Sequence, residues 1–558
     1  MTRSLSPRSS LATLKREAKR WLAALRDDDP DARDRLRTTW PHAPAAPTLR
    51  DVQHALAREY GHPDWKALSV AVQAIADAER AASLDRADQL ALVLQHGWNG
   101  HAAIARRLVA REPALRTANV FAAAACGEVD LVADLIARDP SLVHAVDDVR
   151  GWTALAHVAY GRLDDTHAVR LATLLLDAGA DVAFAFDDGW GNPFTLITGA
   201  IGQGEGVKPT HPQADALVEL FLARGADPYD TQALYNTSIV GDDITWMNRL
   251  WRACEVRGTT ERWTTTHERA LGGHRGLDTL TFLLGNAITF AHPQRAAWTL
   301  ARGAHPNAVH AYSGRALHTE AVLLGHTELA DLLVAHGATP VTLGARDALI
   351  AAVMRGDIDD VRRRLAVEPS LLVSSGALAS AARAGRADMV TLLLTLGADP
   401  HRPDHDGANA LHRAVQGGHE PAVQALLAAG ADVNRRDGRY QSTALGWANV
   451  LGRPALADVL AERSTDVREL ARAAQIERLD VVLDDAPTLA REVRPDPRAP
   501  TALFCLPDDD EDAVEVVALL LASGADPSVR NASGLDAAGA ARLRGLDAAA
   551  AVLEGGGT

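Results

Sequence analysis

The chain has 558 residues, a net charge of −15, 47% apolar residues and only 4% aromatic ones. That length holds several domains or one long array, and the negative charge disfavours non-specific nucleic-acid binding, which needs cations to displace phosphate counterions. Three scattered cysteines, Cys126, Cys254 and Cys505, are too few for a disulfide framework or a zinc site and fit a reducing cytoplasm.

No uncharged apolar run reaches the ~18 residues of a membrane span, and the N-terminus lacks an apolar signal core. Leu11 to Leu25 reads as an amphipathic basic helix, with Lys15, Arg16, Lys19 and Arg20 on its polar side. Asp27-Asp28-Asp29-Pro30 stops it, and a proline-rich loop runs from Trp40 to Pro47. Leu49 to Tyr60 and Asp64 to Val72 come next as two helices split by Gly61 and Pro63. Residues 1–78 form a helical head that covers the apolar face of the adjoining helices, and its basic face is a solvated one.

From residue 79 onward one pattern recurs. A leucine-rich helix end runs into a glycine turn at Leu174–Asp181 (LLLDAGAD), Leu220–Pro228, Leu300–Asn307, Leu332–Pro340, Leu392–Pro400, Leu426–Asn434 and Leu519–Pro527. A second glycine often stands twelve positions earlier, as in Gly325 and Gly337, Gly385 and Gly397, and Gly418 and Gly430; Ala291 takes that place before Gly303. Glycine suits both points because a helix C-terminus favours a left-handed residue. Elsewhere Pro113, Pro140, Pro369 and Pro487 end the helix instead. Asn409-Ala410-Leu411-His412-Arg413-Ala414 opens the most regular copy, Thr443-Ala444-Leu445 and Arg315-Ala316-Leu317-His318 open weaker ones, and neighbouring ends lie 33 or 34 residues apart. The chain resembles ankyrin-repeat proteins, whose signature is T-P-L-H-x-A followed by two antiparallel helices and a β-turn. The head resembles the helical segment that precedes such arrays in some bacterial proteins. The resemblance implies an all-α ankyrin-repeat solenoid of about fourteen helix-turn-helix units with short β-turn fingers over 79–558. Units are irregular over 151–298, more regular over 299–464, and degenerate and capping over 465–558.

The irregular stretch draws the functional candidates. Extra residues surround Asp164-Asp165-Thr166-His167, an insertion spans Gly202 to Pro212, and the unit from Asp230 to about Arg262 loses its final glycine turn while gaining Trp246, Trp251 and Trp263. Register places Gln232 at the signature threonine position, Tyr235 at the histidine position with Asn236 next, and Thr237 and Ser238 at the two positions where other units carry alanine. Turn segments carry Trp152, Asp187, Trp190, Asn192, Asp230, Tyr312, Arg315 and Tyr440, and aromatic and arginine side chains supply most hot-spot energy. Either these residues bind a partner, or Trp152 and Trp190 pack finger on finger and the polar groups of the irregular unit pair internally.

Several motifs fail on their spacing. Val207 and Pro209 break the phosphate-loop likeness of Gly202–Thr210, and no H-E-x-x-H or Cys/His cluster occurs. Asp508-Asp509-Asp510-Glu511-Asp512 has a DDxxD spacing but reads as an acidic turn. Asp242 and Asp243 with His267 are the only weak catalytic candidates. The expected function is protein–protein interaction through the concave face and finger tips, in the cytoplasm. No cofactor, metal, nucleic acid or membrane is expected; the alternative is an enzyme or small-molecule binder with a polar site at 230–298.

Overall fold

A computed structural model describes residues 3–555 apart from 6–10, 45–46, 48, 66, 70, 73–74, 76–83, 99–101, 165, 188–191, 205–207, 267–275 and 405. The chain divides into two compact units, residues 1–321 with 328–340, and residues 322–327 with 341–558.

The first unit opens with the head. Helix Leu11–Arg26 forms as the hydropathy predicts, burying Leu14, Ala18, Trp21, Leu22 and Leu25. Asp28 and Asp29 stop it, and Asp29 then caps a further helix, Pro30–Thr39, by accepting from the Ala32 N–H. Proline at a first helical position loses no hydrogen bond. Helix Leu49–Glu59 completes the head core through Val52, Ala55 and Leu56. Across its polar side Arg35 bridges Glu17 and Glu59, both at 2.7 Å, while stacking 3.8 Å over the Trp21 ring.

Beyond the head, inner helices alternate with outer ones, the inner in most pairs the shorter. In the first unit Val120–Ala125 pairs with Val129–Arg138, Ala154–Tyr160 with Ala168–Asp177, and Leu196–Ile201 with Ala214–Ala223. Thr231–Ser238 with Thr245–Arg257 and Thr279–Thr289 with Pro293–Leu300 continue the series. The second unit repeats the theme, for example Ala410–Gly417 with Glu420–Ala428. There Ala410, Leu411, Ala414 and Val415 are buried while Gln416 is exposed, the stripe expected when a helix meets neighbours on one side. Burying each such leucine or valine contributes roughly 1.5–3 kcal/mol.

The turn chemistry follows the glycine register. Gly325, Gly337, Gly385, Gly397, Gly418 and Gly430 all have positive φ, and so does Ala291 at +55°. Position thus dictates the left-handed turn even where the residue disfavours it. The proline-ended repeats become one-turn helices such as Pro113–Thr117 and Pro140–Val143, whose Leu115 and Val143 are 1% exposed. One expectation fails: the helix after Asp230 does not lose its glycine stop, because Thr245–Arg257 extends to a left-handed Gly258. Its longer run carried the glycine out of the expected register.

The fingers are two-residue bridges or short hairpins. Val146 pairs with Thr153, Val309 with Ala316 and Arg436 with Thr443; a fuller hairpin joins Ala185–Asp187 to Pro193–Thr195. Adjacent fingers approach so closely that a Cβ on Gly407 would lie 2.3 Å from the Gly438 nitrogen. Among the described residues no helix is long and apolar enough to cross a membrane.

Candidate binding surface

Three of the fingers are folded around one buried acceptor each. Asp147 accepts from the backbone N–H of Val149 and Arg150, both at 2.7 Å, and of Trp152 at 3.0 Å. The imidazole Nε2 of His157 lies 2.8 Å from Oδ2, the oxygen that also accepts from Trp152. Burial opposes ionisation of Asp147, but the His157 hydrogen bond and the backbone donors outweigh it and bring its pKa down to about 2. Burial lowers the His157 pKa more than Asp147 raises it. The pair is therefore a carboxylate and a neutral imidazole.

Asp437 does the same work for another finger, accepting from Arg439 and Tyr440 N–H groups and from the Trp447 indole at 3.0 Å. Trp447 stands four residues after Thr443, as His157 stands four after Thr153, so the indole takes the place of that imidazole against the buried carboxylate. His412, where that histidine is kept, lies 2.8 Å from the Asn409 side chain and 3.0 Å from the Ser442 carbonyl of the next finger. In a third finger His310 takes the acceptor's place, with the Ser313 N–H 3.2 Å from its Nδ1.

These caps leave the tips outward. Val146 is 52% exposed, Tyr312 55% and Tyr440 63%. Arg315 is also exposed and pairs with Glu320 at 3.3 Å, and Asp187 is exposed on its hairpin. Trp152 is different: it is 1% exposed, packed on Trp98, Tyr160 and Phe186 at ring distances of 4.8–5.3 Å. The Arg150 guanidinium covers Trp98 and Trp152. Trp152 therefore joins finger to finger and offers no open face. Asn192 is buried, and Trp190 lies outside the described residues.

The polar residues of the irregular unit are spent on local structure. Asp230 is 2% exposed and accepts from Thr195 and Thr198 hydroxyls and from the Ala233 N–H. Burial raises its pKa against those three donors. Gln232 donates to Asn236 at 2.8 Å, and the Asn236 amide reaches the Gly202 carbonyl of the insertion at 3.4 Å. Ser238 accepts from Asn286, and Tyr235 packs 6.4 Å from Phe282. Trp246 is 9% exposed under Arg249, while Trp251, Trp263 and Trp298 pack together within 6 Å.

Asp242 and Asp243 also have helix-starting roles. Asp242 accepts from the N–H groups of Gln294 and Arg295; Asp243 accepts from the Thr245 hydroxyl and N–H, which hold its pKa low. His267 lies outside the described residues. The enclosed space beside Asn236, shared with Tyr160, Arg162 and Lys208, is about 20 Å³. That admits one water and falls far short of the ~300 Å³ of small ligand pockets.

Sequence reasoning missed the exposed valines Val146, Val149, Val309 and Val493 at the tips. For Val146 and Val309 the signal is a β-branched residue directly before the finger acceptor, Asp147 or His310. The acidic run also resolves: Asp509 caps Asp510–Ala522, Asp510 accepts from Ala548 and Ala549 N–H groups, and Asp508 pairs with Arg544.

A family model described as three copies of the ankyrin repeat matches residues 377–470. No curated protein matches the sequence. Among solved structures, a chain from the complex of a predatory endopeptidase of Bdellovibrio bacteriovorus with an immunity protein is 22% identical at a TM-score of 0.26, covering 33% of this chain and 98% of that one. The ankyrin repeat domain of Bcl-3, of the IkappaB family, is 22% identical at a TM-score of 0.27, covering 36% and 96%.

Proposed function

This chain is an ankyrin-repeat protein, and we propose that it acts as a non-enzymatic binding protein holding another protein on its finger tips and inner-helix faces. The observation that carries this reading is a contrast in burial. Tyr312, Tyr440 and Val309 stand more than half exposed at the tips, whereas Trp152 and Trp263, the largest of the fully buried side chains, are enclosed. Exposed tyrosine beside arginine is the composition of an interface anchor. Residues 1–78 serve as the cap of the array, since an exposed end of a repeat stack must be covered. Three free, buried thiols accord with a reducing cytoplasm.

The test is affinity capture with wild-type protein and with Tyr312→Ala/Arg315→Ala and Tyr440→Ala variants. A partner held by the wild type and reduced at least about tenfold by a tip variant supports the reading, because hot-spot truncation costs ~2 kcal/mol or more. Equal capture by all three proteins contradicts it.

A further inference from the structure

The second unit holds one tryptophan, Trp447, half-buried on an inner helix. Ser380, Arg413 and Trp447 take the same position in successive inner helices, Ala377–Arg383, Ala410–Gly417 and Ala444–Val450, spaced 33 and 34 residues apart. The Tyr440 ring meets the indole edge-on from the finger tip, with centroids 6.2 Å apart and planes at 70°. The Arg413 guanidinium lies 5.7 Å from the Trp447 ring, and that of Arg439 lies 5.2 Å from the Tyr440 ring. The fingers that carry Asp406 and Tyr440 approach so closely that Gly407 has no room for a side chain against Gly438, which fixes the base of this shelf.

The hydrogen-bonding capacity of the shelf is one-sided. Its carboxylates are engaged: Asp404 accepts from the Arg413 guanidinium at 2.6 Å and Asp406 at 2.8 Å, and Asp437 is buried under backbone N–H groups and the Trp447 indole. The side-chain oxygen of Gln416 accepts from Arg413 at 3.0 Å. The Tyr440 hydroxyl and the Gln416 amide nitrogen, both on exposed side chains, donate to no other described residue. What the side chains here still offer is two ring faces and donors.

A segment that stacks on both rings and brings acceptors without N–H groups suits such a surface. Proline meets both conditions: its ring is apolar, its nitrogen carries no hydrogen, and a run of prolines already holds an extended left-handed helix that needs little further ordering on binding. We propose that the Tyr440–Trp447 shelf docks a proline-rich segment of the protein partner, the prolines packing against the two rings and the segment's carbonyls accepting from the Tyr440 hydroxyl and the Gln416 amide. The proposal rests on the binding-protein reading above. Charge does not drive it, since the guanidinium groups of Arg413 and Arg439 lie against Asp404 and Asp406.

Fluorescence anisotropy of the full chain tests this with a labelled decaproline peptide, against glycine–serine, alanine–glutamate and alanine–lysine peptides of the same length. The proline peptide binds best, and added salt leaves its affinity unchanged because no charge is paired. Tyr440→Ala lowers that affinity at least about tenfold, the size of a hot-spot truncation. Tyr440→Phe, which keeps the ring and loses the donor, and Gln416→Ala each lower it about fivefold, the size of one neutral hydrogen bond. If Tyr440→Ala alters the far-UV helix signal, Tyr440→Phe and Gln416→Ala give the answer, since neither removes a ring from the shelf. No binding of the proline peptide, an affinity that these variants leave unchanged, or tighter binding of any comparison peptide overturns the proposal. A captured partner lost on Tyr312→Ala/Arg315→Ala but unaffected by Tyr440→Ala and Gln416→Ala removes the shelf alone; a partner indifferent to every variant removes the binding reading with it.

Discussion

At the scale of single residues, the fingers depend on a few buried acceptors rather than on strand pairing. Replacing Asp147 by alanine strands three backbone N–H groups and His157, and is expected to cost about 3 kcal/mol, read as a lower urea midpoint. The same pair sets a pH dependence. His157 has a folded pKa below its ordinary 6.5, so the unfolded chain takes up a proton first, and stability present above pH 6.5 is lost as pH falls below it. Asp147 adds a second loss as pH falls from its ordinary 3.8 toward about 2, worth about 2 kcal/mol in all. Melting temperatures between pH 7.5 and 5.5 should fall for the wild type and fall less in His157→Gln, the remainder of the loss coming from other buried histidines such as His211 and His412. Ala291 gives the opposite sign: a left-handed alanine costs ~1–2 kcal/mol, a glycine loses ~0.5–1 in chain entropy, and Ala291→Gly should therefore raise stability by up to about 1 kcal/mol in urea titrations. Its conformation was legible from spacing alone, because Gly303 stands twelve residues on. The burial of Trp152 was not legible: a turn position says nothing about whether Trp98 and Phe186 close over it.

At the scale of elements, the helices and glycine stops were legible because each repeat makes local contacts with its neighbours. The insertions were legible as length but not as structure. The loop after Leu196–Ile201 turns back so that Gln203 donates to the Lys208 carbonyl and His211 to the Ala200 carbonyl. Arg162, 6% exposed, ties it down by donating to the carbonyls of Ala159, Tyr160, Gly161, Gly199 and Pro209. Nothing in the sequence links Arg162 to residue 209, since the bond spans 47 positions and ends on a backbone oxygen. Arg162→Met leaves five carbonyls without that donor, and should increase hydrogen exchange at the Gln203 and His211 amides by about tenfold or more while leaving the Ala410–Gly417 helix unchanged. Gln232 and Asn236, which look like site residues in the register, share this insertion-holding role through the Gly202 carbonyl.

At the scale of the whole molecule, two compact units carry very different chromophores. Ten of the eleven tryptophans precede residue 341 and only Trp447 lies beyond it, whereas helices fill both units. Arrays held by nearest-neighbour contacts do not unfold as one cooperative block. Tryptophan fluorescence should therefore give a urea midpoint distinct from that of far-UV circular dichroism, and coincident single transitions would contradict separate stability of the units. Function at this scale is a matter of which surface faces the partner. Repetition fixes a stack with enclosed tryptophans such as Trp152 and Trp263, and on the proposed function the choice of partner belongs to side chains the repeat leaves exposed, such as Tyr312 and Tyr440. The most direct measurement is site-specific photo-cross-linking from benzoylphenylalanine placed at Tyr312, at Tyr440 and, on an outer helix, at the 89%-exposed Val256. Cross-links to one partner from position 312 or 440, and none from 256, are the expected result; cross-links from 256 alone would contradict binding at the finger tips.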